Sequence, residues 1–139
     1  MFVFSLSPSN GEGEVDYQLL HSLPGEPTYE EIYFAKYAHH FALVGWGRYY
    51  MGGLWAIHED RSPGFHFYNL RIEEGYRGRG LCLPLLRFAV GELLPFKESL
   101  FIDTYNPFIS RLLPRLGFTQ MGFRIGYLGR EHSYWSIEP

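Results

Sequence analysis

The stretch Leu70-Arg71-Ile72-Glu73-Glu74-Gly75-Tyr76-Arg77-Gly78-Arg79-Gly80-Leu81-Cys82 decides the fold, because it joins a strand-like segment to a helix-like one through glycines. Upstream, Phe65 to Ile72 alternates as a strand does. The alternation predicts His66, Tyr68, Leu70 and Ile72 on one face and Phe67, Asn69 and Arg71 on the other. Downstream, Leu81, Leu85, Leu86, Ala89, Val90 and Leu93 recur at helical spacing and predict a helix over 81–94. Pro84 fits that helix only in its first turn, where a missing N–H loses no intrahelical bond. Pro95 closes it. Gly78 and Gly80 let the backbone turn tightly and bring its N–H groups close to a ligand. The helix that follows begins with unpaired N–H donors and the positive end of its dipole. Together these make an anion site suited to a pyrophosphate, with Arg77 and Arg79 adding positive charge. A glycine turn flanked by solvated arginines would read the same way from this stretch alone. Two nucleotide motifs are excluded. The P-loop needs a lysine that is absent here, and the dinucleotide fingerprint needs a third glycine where Leu83 stands.

Working outward, Phe2 to Leu6 reads as a strand and Val15 to Leu23 as a short helix stopped by Pro24-Gly25. Thr28 and Glu31 have capping-box spacing and predict a second helix ending near His39. Phe41 to Trp46, Tyr50 to His58 and Phe65 to Ile72 read as three successive strands, with a turn at 59–64. Ser99 to Thr104 is a further strand. Asn106 and Pro107 look like a cap and first residue of a helix reaching about Leu113. Phe118 to Tyr127 and Glu131 to Ile137 read as a final antiparallel pair. The order predicts a single α/β domain over residues 1–139 with a mixed sheet.

Composition narrows the class. The 139 residues are 46% hydrophobic and 19% charged, which is globular rather than disordered. The lone Cys82 rules out an internal disulfide and a cysteine-based metal cluster. Met1 to Asn10 does not read as a signal peptide, and no apolar run approaches a membrane span. A cytoplasmic location, with no membrane and no nucleic-acid partner, is therefore expected. The net charge of −3 is unevenly spread. Residues 1–75 hold four basic and ten acidic side chains, whereas 76–139 hold eight basic and five acidic. That favours an anion site in the second half and a cation-tolerant surface in the first.

Arg77-Gly78-Arg79-Gly80-Leu81-Cys82 resembles the Arg/Gln-x-x-Gly-x-Gly/Ala signature of the GNAT superfamily of N-acetyltransferases. Leu70-Arg71-Ile72 is similar to the strand end that precedes it in that family, and Leu85-Leu86 to its helix core. Asp103-Thr104-Tyr105-Asn106 resembles the family's strand-to-Asn turn, and Arg115-Leu116-Gly117-Phe118 its Lys/Arg-Leu-Gly-Phe ending. The match runs over roughly residues 40 to 139. Two positions depart from it: Cys82 replaces a small Gly/Ala, and Leu113 stands where many members carry a tyrosine.

The resemblance implies a mixed, mostly antiparallel central sheet, about four flanking helices and a splayed parallel strand pair. It implies acetyl-CoA as co-substrate, no metal, and direct transfer of an acetyl group to a small-molecule or peptide amine, with a homodimer compatible. Backbone groups of Leu70, Arg71 and Ile72 would hold the pantetheine arm, and the Leu70 N–H would polarise the thioester carbonyl. Arg77, Gly78, Arg79, Gly80, Leu81 and Cys82 would form the pyrophosphate loop. Asn106 either contacts the pantetheine or only caps its helix. His66 stands eleven residues before Arg77, where some members carry a catalytic glutamate, and is the candidate base on the face of Leu70. Tyr105 is the candidate acid for the departing thiolate, since Leu113 cannot serve, with solvent as the alternative because a thiolate is a tolerable leaving group near neutral pH. Cys82 at a helix start and the His39-His40 pair read as packing and as a helix end. Trp46, Tyr49, Tyr50 and Trp55 form either core or an acceptor wall. A CoA-binding module without catalysis and a cofactor-free peptide-binding domain are the competing classes.

Overall fold

The computed structural model of the chain describes residues 2–9, 14–25, 35–59, 63–126 and 129–139. Their backbone builds one seven-stranded sheet. The strands are β1 (Phe2–Leu6), β2 (Ala35–Val44), β3 (Tyr50–Glu59), β4 (Phe65–Ile72), β5 (Leu100–Thr104), β6 (Thr119–Ile125) and β7 (Glu131–Ile137). They lie in the order β1-β2-β3-β4-β5-β7-β6. All neighbours are antiparallel except β4 and β5. Three α-helices stand among the described residues: α1 (Tyr17–Ser22), α2 (Cys82–Leu93) and α3 (Pro107–Leu112).

Local chemistry explains the helix starts. Asp16 caps α1 by accepting from the Leu19 N–H at 3.0 Å. Asn106 caps α3 by accepting from the Phe108 N–H at 2.9 Å, with Pro107 in the first turn. Helix α2 has no side-chain cap. It is held instead by its apolar stripe, in which Leu85, Leu86, Ala89, Val90 and Leu93 are buried against the sheet. The main core lies between these side chains and Phe41, Phe65, Phe67, Leu100 and Ile102. A smaller core on the opposite face packs Leu20 of α1 against Trp55 and Ile57.

Two departures from the sequence reading shape the site. The first concerns 28–39. Residues 26–34 lie outside the described ones, but Ala35 to His39 belong to β2, not to a helix. This strand has ten residues and pairs with β1 on one side and β3 on the other. Pairing with β3 outweighs the helical leaning of Ala35-Lys36-Tyr37-Ala38. His39 and His40 are therefore consecutive strand residues on opposite faces, not a helix end. His39 packs on Phe41 and Phe65, whereas His40 lies against Trp55 with ring centroids 4.6 Å apart.

The second departure is a β-bulge in β4. Trp55 pairs with Tyr68 and Gly53 with Arg71, so β4 carries one extra residue there. Asn69 absorbs it in the left-handed conformation, with φ +54°. The alternation reverses at that point. Leu70 and Ile72 join Phe65 and Phe67 on the side of α2 and α3, while Tyr68 packs into the smaller core. His66 stacks on Tyr68 and on Phe101 at 4.8 Å. The expectation that His66 shares a face with Leu70 is thus corrected.

The parallel pair is short. β4 and β5 pair only at Phe65↔Leu100 and His66↔Phe101. Beyond that apex the strands diverge, so both leave a backbone edge open to a ligand. The helix that crosses between them, α2, starts at the wide end of the opening.

Candidate functional site

The opening between β4 and β5 is the wall of a cleft of about 1040 Å³. Leu70, Arg71, Ile72, Arg77, Gly78, Gly80, Leu81, Cys82, Tyr105 and Asn106 all line it. The structure thus brings ten of the residues singled out in the sequence to one concavity, from both sides of the splay. Arg79 lies outside the lining; its guanidinium rests over the Tyr76 ring at 5.5 Å, and Tyr76 stacks on Tyr49 at 5.6 Å. Tyr49 is therefore part of the loop's support, while Trp46 is 78% exposed and only Trp55 of the four aromatic residues is fully buried.

The loop at the start of α2 has the geometry of an anion cradle. Gly78 and Gly80 have φ +77° and +71°, and the space where a Cβ would sit is open at both. Their requirement for glycine is conformational, not steric. Among the described residues, none of the N–H groups of Gly78, Gly80, Leu81 and Cys82 donates to a protein acceptor. The last of these belong to the uncapped first turn of α2. Arg77 fastens the loop from behind: its Nε donates to the Ile72 carbonyl at 2.8 Å. Two glycines in the left-handed region, four free donors and a helix start fit a diphosphate group by the chemistry of the donor set.

Asn106 caps α3 and lines the cleft at the same time. Its side-chain oxygen is committed to the Phe108 N–H, which leaves its amide nitrogen for a ligand. Cys82 is half-buried, and burial pushes its thiol above the ordinary range, so it is not an activated nucleophile. Leu113 is fully buried in the main core, far from any role in proton transfer.

His66 sits outside the cleft, in a small cavity of about 10 Å³ on the other face of the sheet. That is close to the space of one water molecule. Phe67, Ile102 and Asp103 line both this cavity and the cleft. Burial, then the Arg124 and His58 charges, lower the His66 pKa from 6.5, while Asp103 opposes them. His66 is therefore neutral at pH 7 and able to accept a proton. Arg124 donates through Nε to Asp103 at 2.8 Å and lies over the Tyr134 ring at 4.8 Å.

Sequence reasoning missed one titratable group of the cleft. His132, at the start of β7, lines it and is 9% exposed. Tyr105 stands beside it, with ring centroids 5.2 Å apart. No spacing marks His132 out, because it reaches the cleft only through the pairing of β7 with β5. Among the described residues, no group of His, Cys, Asp or Glu side chains is arranged to hold a metal ion. No helix among them is long and apolar enough to cross a membrane.

No protein-family model and no curated protein sequence matches the chain. Solved structures do. A nourseothricin acetyltransferase is similar at TM-score 0.59 and 16% identity, over 72% of this chain and 64% of its own. The chain thus spans just under two thirds of that protein. An IAA acetyltransferase from Bacillus cereus is similar at TM-score 0.66 and 18% identity, over 99% of this chain and 100% of its own. A spermidine N-acetyltransferase from Vibrio cholerae, solved in complex with CoA and spermine, is similar at TM-score 0.64 and 16% identity, over 97% of this chain and 94% of its own. The seven-stranded mixed sheet, the parallel pair splayed beyond its apex and these likenesses agree: the chain has the fold of the GNAT N-acetyltransferases.

Proposed function

We propose that residues 1–139 form one acyl-CoA N-acyltransferase-like domain that moves an acetyl group from acetyl-CoA to an amine. The observation that carries the reading is the set of unpartnered N–H groups at Gly78, Gly80, Leu81 and Cys82, which line the cleft. An anion there is stabilised by several donors and a helix dipole at once. Ile72 and Leu70, on the open edge of β4, would pair with the pantetheine arm as an added strand would. The Leu70 N–H would then face the thioester carbonyl, where negative charge develops during attack.

The acceptor amine must be neutral to attack, and an alkylamine is mostly protonated at neutral pH. In this reading His66 takes that proton through a chain of waters that ends in its small cavity, since it does not line the cleft itself. Tyr105 lines the cleft and is the candidate acid for the departing thiolate. The named activities of the structural neighbours, on spermidine and on nourseothricin, support a small amine as acceptor. The acidic first half, four basic against ten acidic side chains, favours one that is cationic.

The test pairs calorimetric binding of CoA with thiol release from acetyl-CoA over a panel of polyamines, aminoglycosides, amino acids and neutral amines. The reading predicts binding, and turnover with at least one cationic amine that falls at least tenfold in His66→Ala. Binding without turnover across the panel supports the competing reading, a CoA-binding module, which the buried Leu113 favours. Absence of CoA binding overturns both.

A further inference from the structure

The hairpin between β2 and β3 carries backbone strain and an aromatic ring whose seat burial does not explain. Gly47 and Arg48 both stand in the left-handed region, at φ +94° and +64°. An arginine there is uncommon and persists where its surroundings enforce it. Two hydrogen bonds close the turn. The Gly45 N–H donates to the Tyr49 carbonyl and the Arg48 N–H to the Gly45 carbonyl, both at 3.0 Å. The turn sets the Tyr49 ring directly against Gly45, where any Cβ would overlap it, so only glycine at 45 leaves the place free. Yet the Tyr49 side chain so carefully placed is 45% exposed.

What Tyr49 touches is the loop of the cleft. Its ring stacks on Tyr76 with centroids 5.6 Å apart and planes 19° apart. The guanidinium of Arg79 lies 5.5 Å from the centroid of the same Tyr76 ring. Both spacings are attractive ones for such groups. Tyr76 lines the cleft, whereas Tyr49 and Arg79 stand outside its lining. At its root the loop is fastened to the sheet: the Glu73 N–H donates to the Met51 carbonyl at 2.8 Å, and Arg77 holds the Ile72 carbonyl. Further on, Gly78 and Gly80 have open space where a Cβ would sit. Arg79 stands between those two glycines, so its contact with Tyr76 ties the tip of the loop to the hairpin.

We propose that Tyr49 is a positioning residue for CoA: through Tyr76 and Arg79 it holds the N–H groups of Gly78, Gly80, Leu81 and Cys82 in the arrangement that receives the diphosphate. This rests on the reading of the cleft as the acetyl-CoA site. It also gives Arg79 a different part from the one its charge suggests. The guanidinium steadies the loop from outside the cleft instead of meeting the phosphates. A loop with two glycines at its tip has many conformations open to it. Where only a fraction of them presents the donors, apparent affinity falls by that fraction. The stack raises the fraction before CoA arrives. Because Tyr49 lies outside the cleft, it acts on CoA binding and not on the transfer step.

Calorimetric binding of CoA and thiol-release kinetics on the full chain test this. Tyr49→Ala should weaken CoA about tenfold and raise the acetyl-CoA KM about as much. Its kcat at saturating acetyl-CoA and its acceptor KM should stay within about twofold of the unaltered protein. Tyr49→Phe keeps the ring and should bind CoA within about twofold of the unaltered protein. Tyr49→Leu, which keeps bulk without a stacking ring, should show the same loss if the alanine variant folds poorly. Tyr49→Ala and Arg79→Ala together should cost little more than either alone, because both act through Tyr76. CoA affinity unchanged in Tyr49→Ala and Tyr49→Leu overturns this assignment alone. So does a loss that Tyr49→Phe shares, a loss carried by kcat, or losses that add in full in the double variant. Failure of CoA to bind the unaltered protein overturns the reading of the cleft along with it.

Discussion

At the scale of single residues, the loop glycines make the sharpest prediction. Gly80 has φ +71° and open space where a Cβ would go. Gly80→Ala therefore meets no clash but holds an L-residue in the left-handed region, at about 1–2 kcal/mol. The expected result is a small drop in thermal stability and CoA affinity weakened about tenfold, measured by calorimetry. Unchanged affinity would show that the turn at Gly80 does not set the donors. His66 makes a second prediction, in pH. Its pKa is lowered, so the ring stays unprotonated as pH falls to and below its ordinary 6.5. The acid limb of kcat/KM should therefore lie below pH 6.5 and vanish in His66→Gln. An acid limb at or above 6.5, or one that survives the substitution, rules His66 out as the base.

At the scale of elements, legibility followed how local each signal is. The strand–glycine–helix passage from Phe65 to Leu93 was readable because its breakers and its periodicity lie within one stretch of chain. The cap of α3 was readable for the same reason. The first half of β2 was not, because Ala35 to His39 carry helical propensity and become strand only by pairing with β3. The bulge in β4 hid in a run that alternates without fault. Asn69 was the available signal, since asparagine tolerates the left-handed region better than most residues. Missing it placed His66 on the wrong face. His132 carried no local signal, since its position depends on a register between β5 and β7. Leu113 shows the same logic in reverse. It is fully buried at the turn after α3. Leu113→Tyr should therefore overpack the core, at about 1–3 kcal/mol, without raising kcat. A gain in turnover from that variant would mean that a phenol there reaches the thioester.

At the scale of the whole molecule, the site depends on a sheet that must stay intact on both faces, and acid is its weak condition. His40 is 1% exposed, and burial lowers its pKa to about 4, against the pull of the Pro24 carbonyl. In the unfolded chain the ring titrates near 6.5. The unfolded state therefore binds more protons between those values, and stability falls as pH drops through that window. The difference between 6.5 and about 4 corresponds to about 3 kcal/mol. Burial lowers His39 and His66 in the same direction. Urea unfolding at pH 7 and pH 4.5 should show most of this loss, and His40→Leu should flatten it. An equal loss in that variant would place the acid sensitivity elsewhere.

The claim on which the function rests concerns the backbone between Gly78 and Cys82. A ¹H–¹⁵N NMR titration of the full chain with CoA addresses it directly. The amides of Gly78, Arg79, Gly80, Leu81 and Cys82 should shift together and saturate with one affinity, while those of Ser5 and Leu6, on the far edge strand β1, stay in place. Saturating CoA that leaves the five loop amides unmoved would contradict the account.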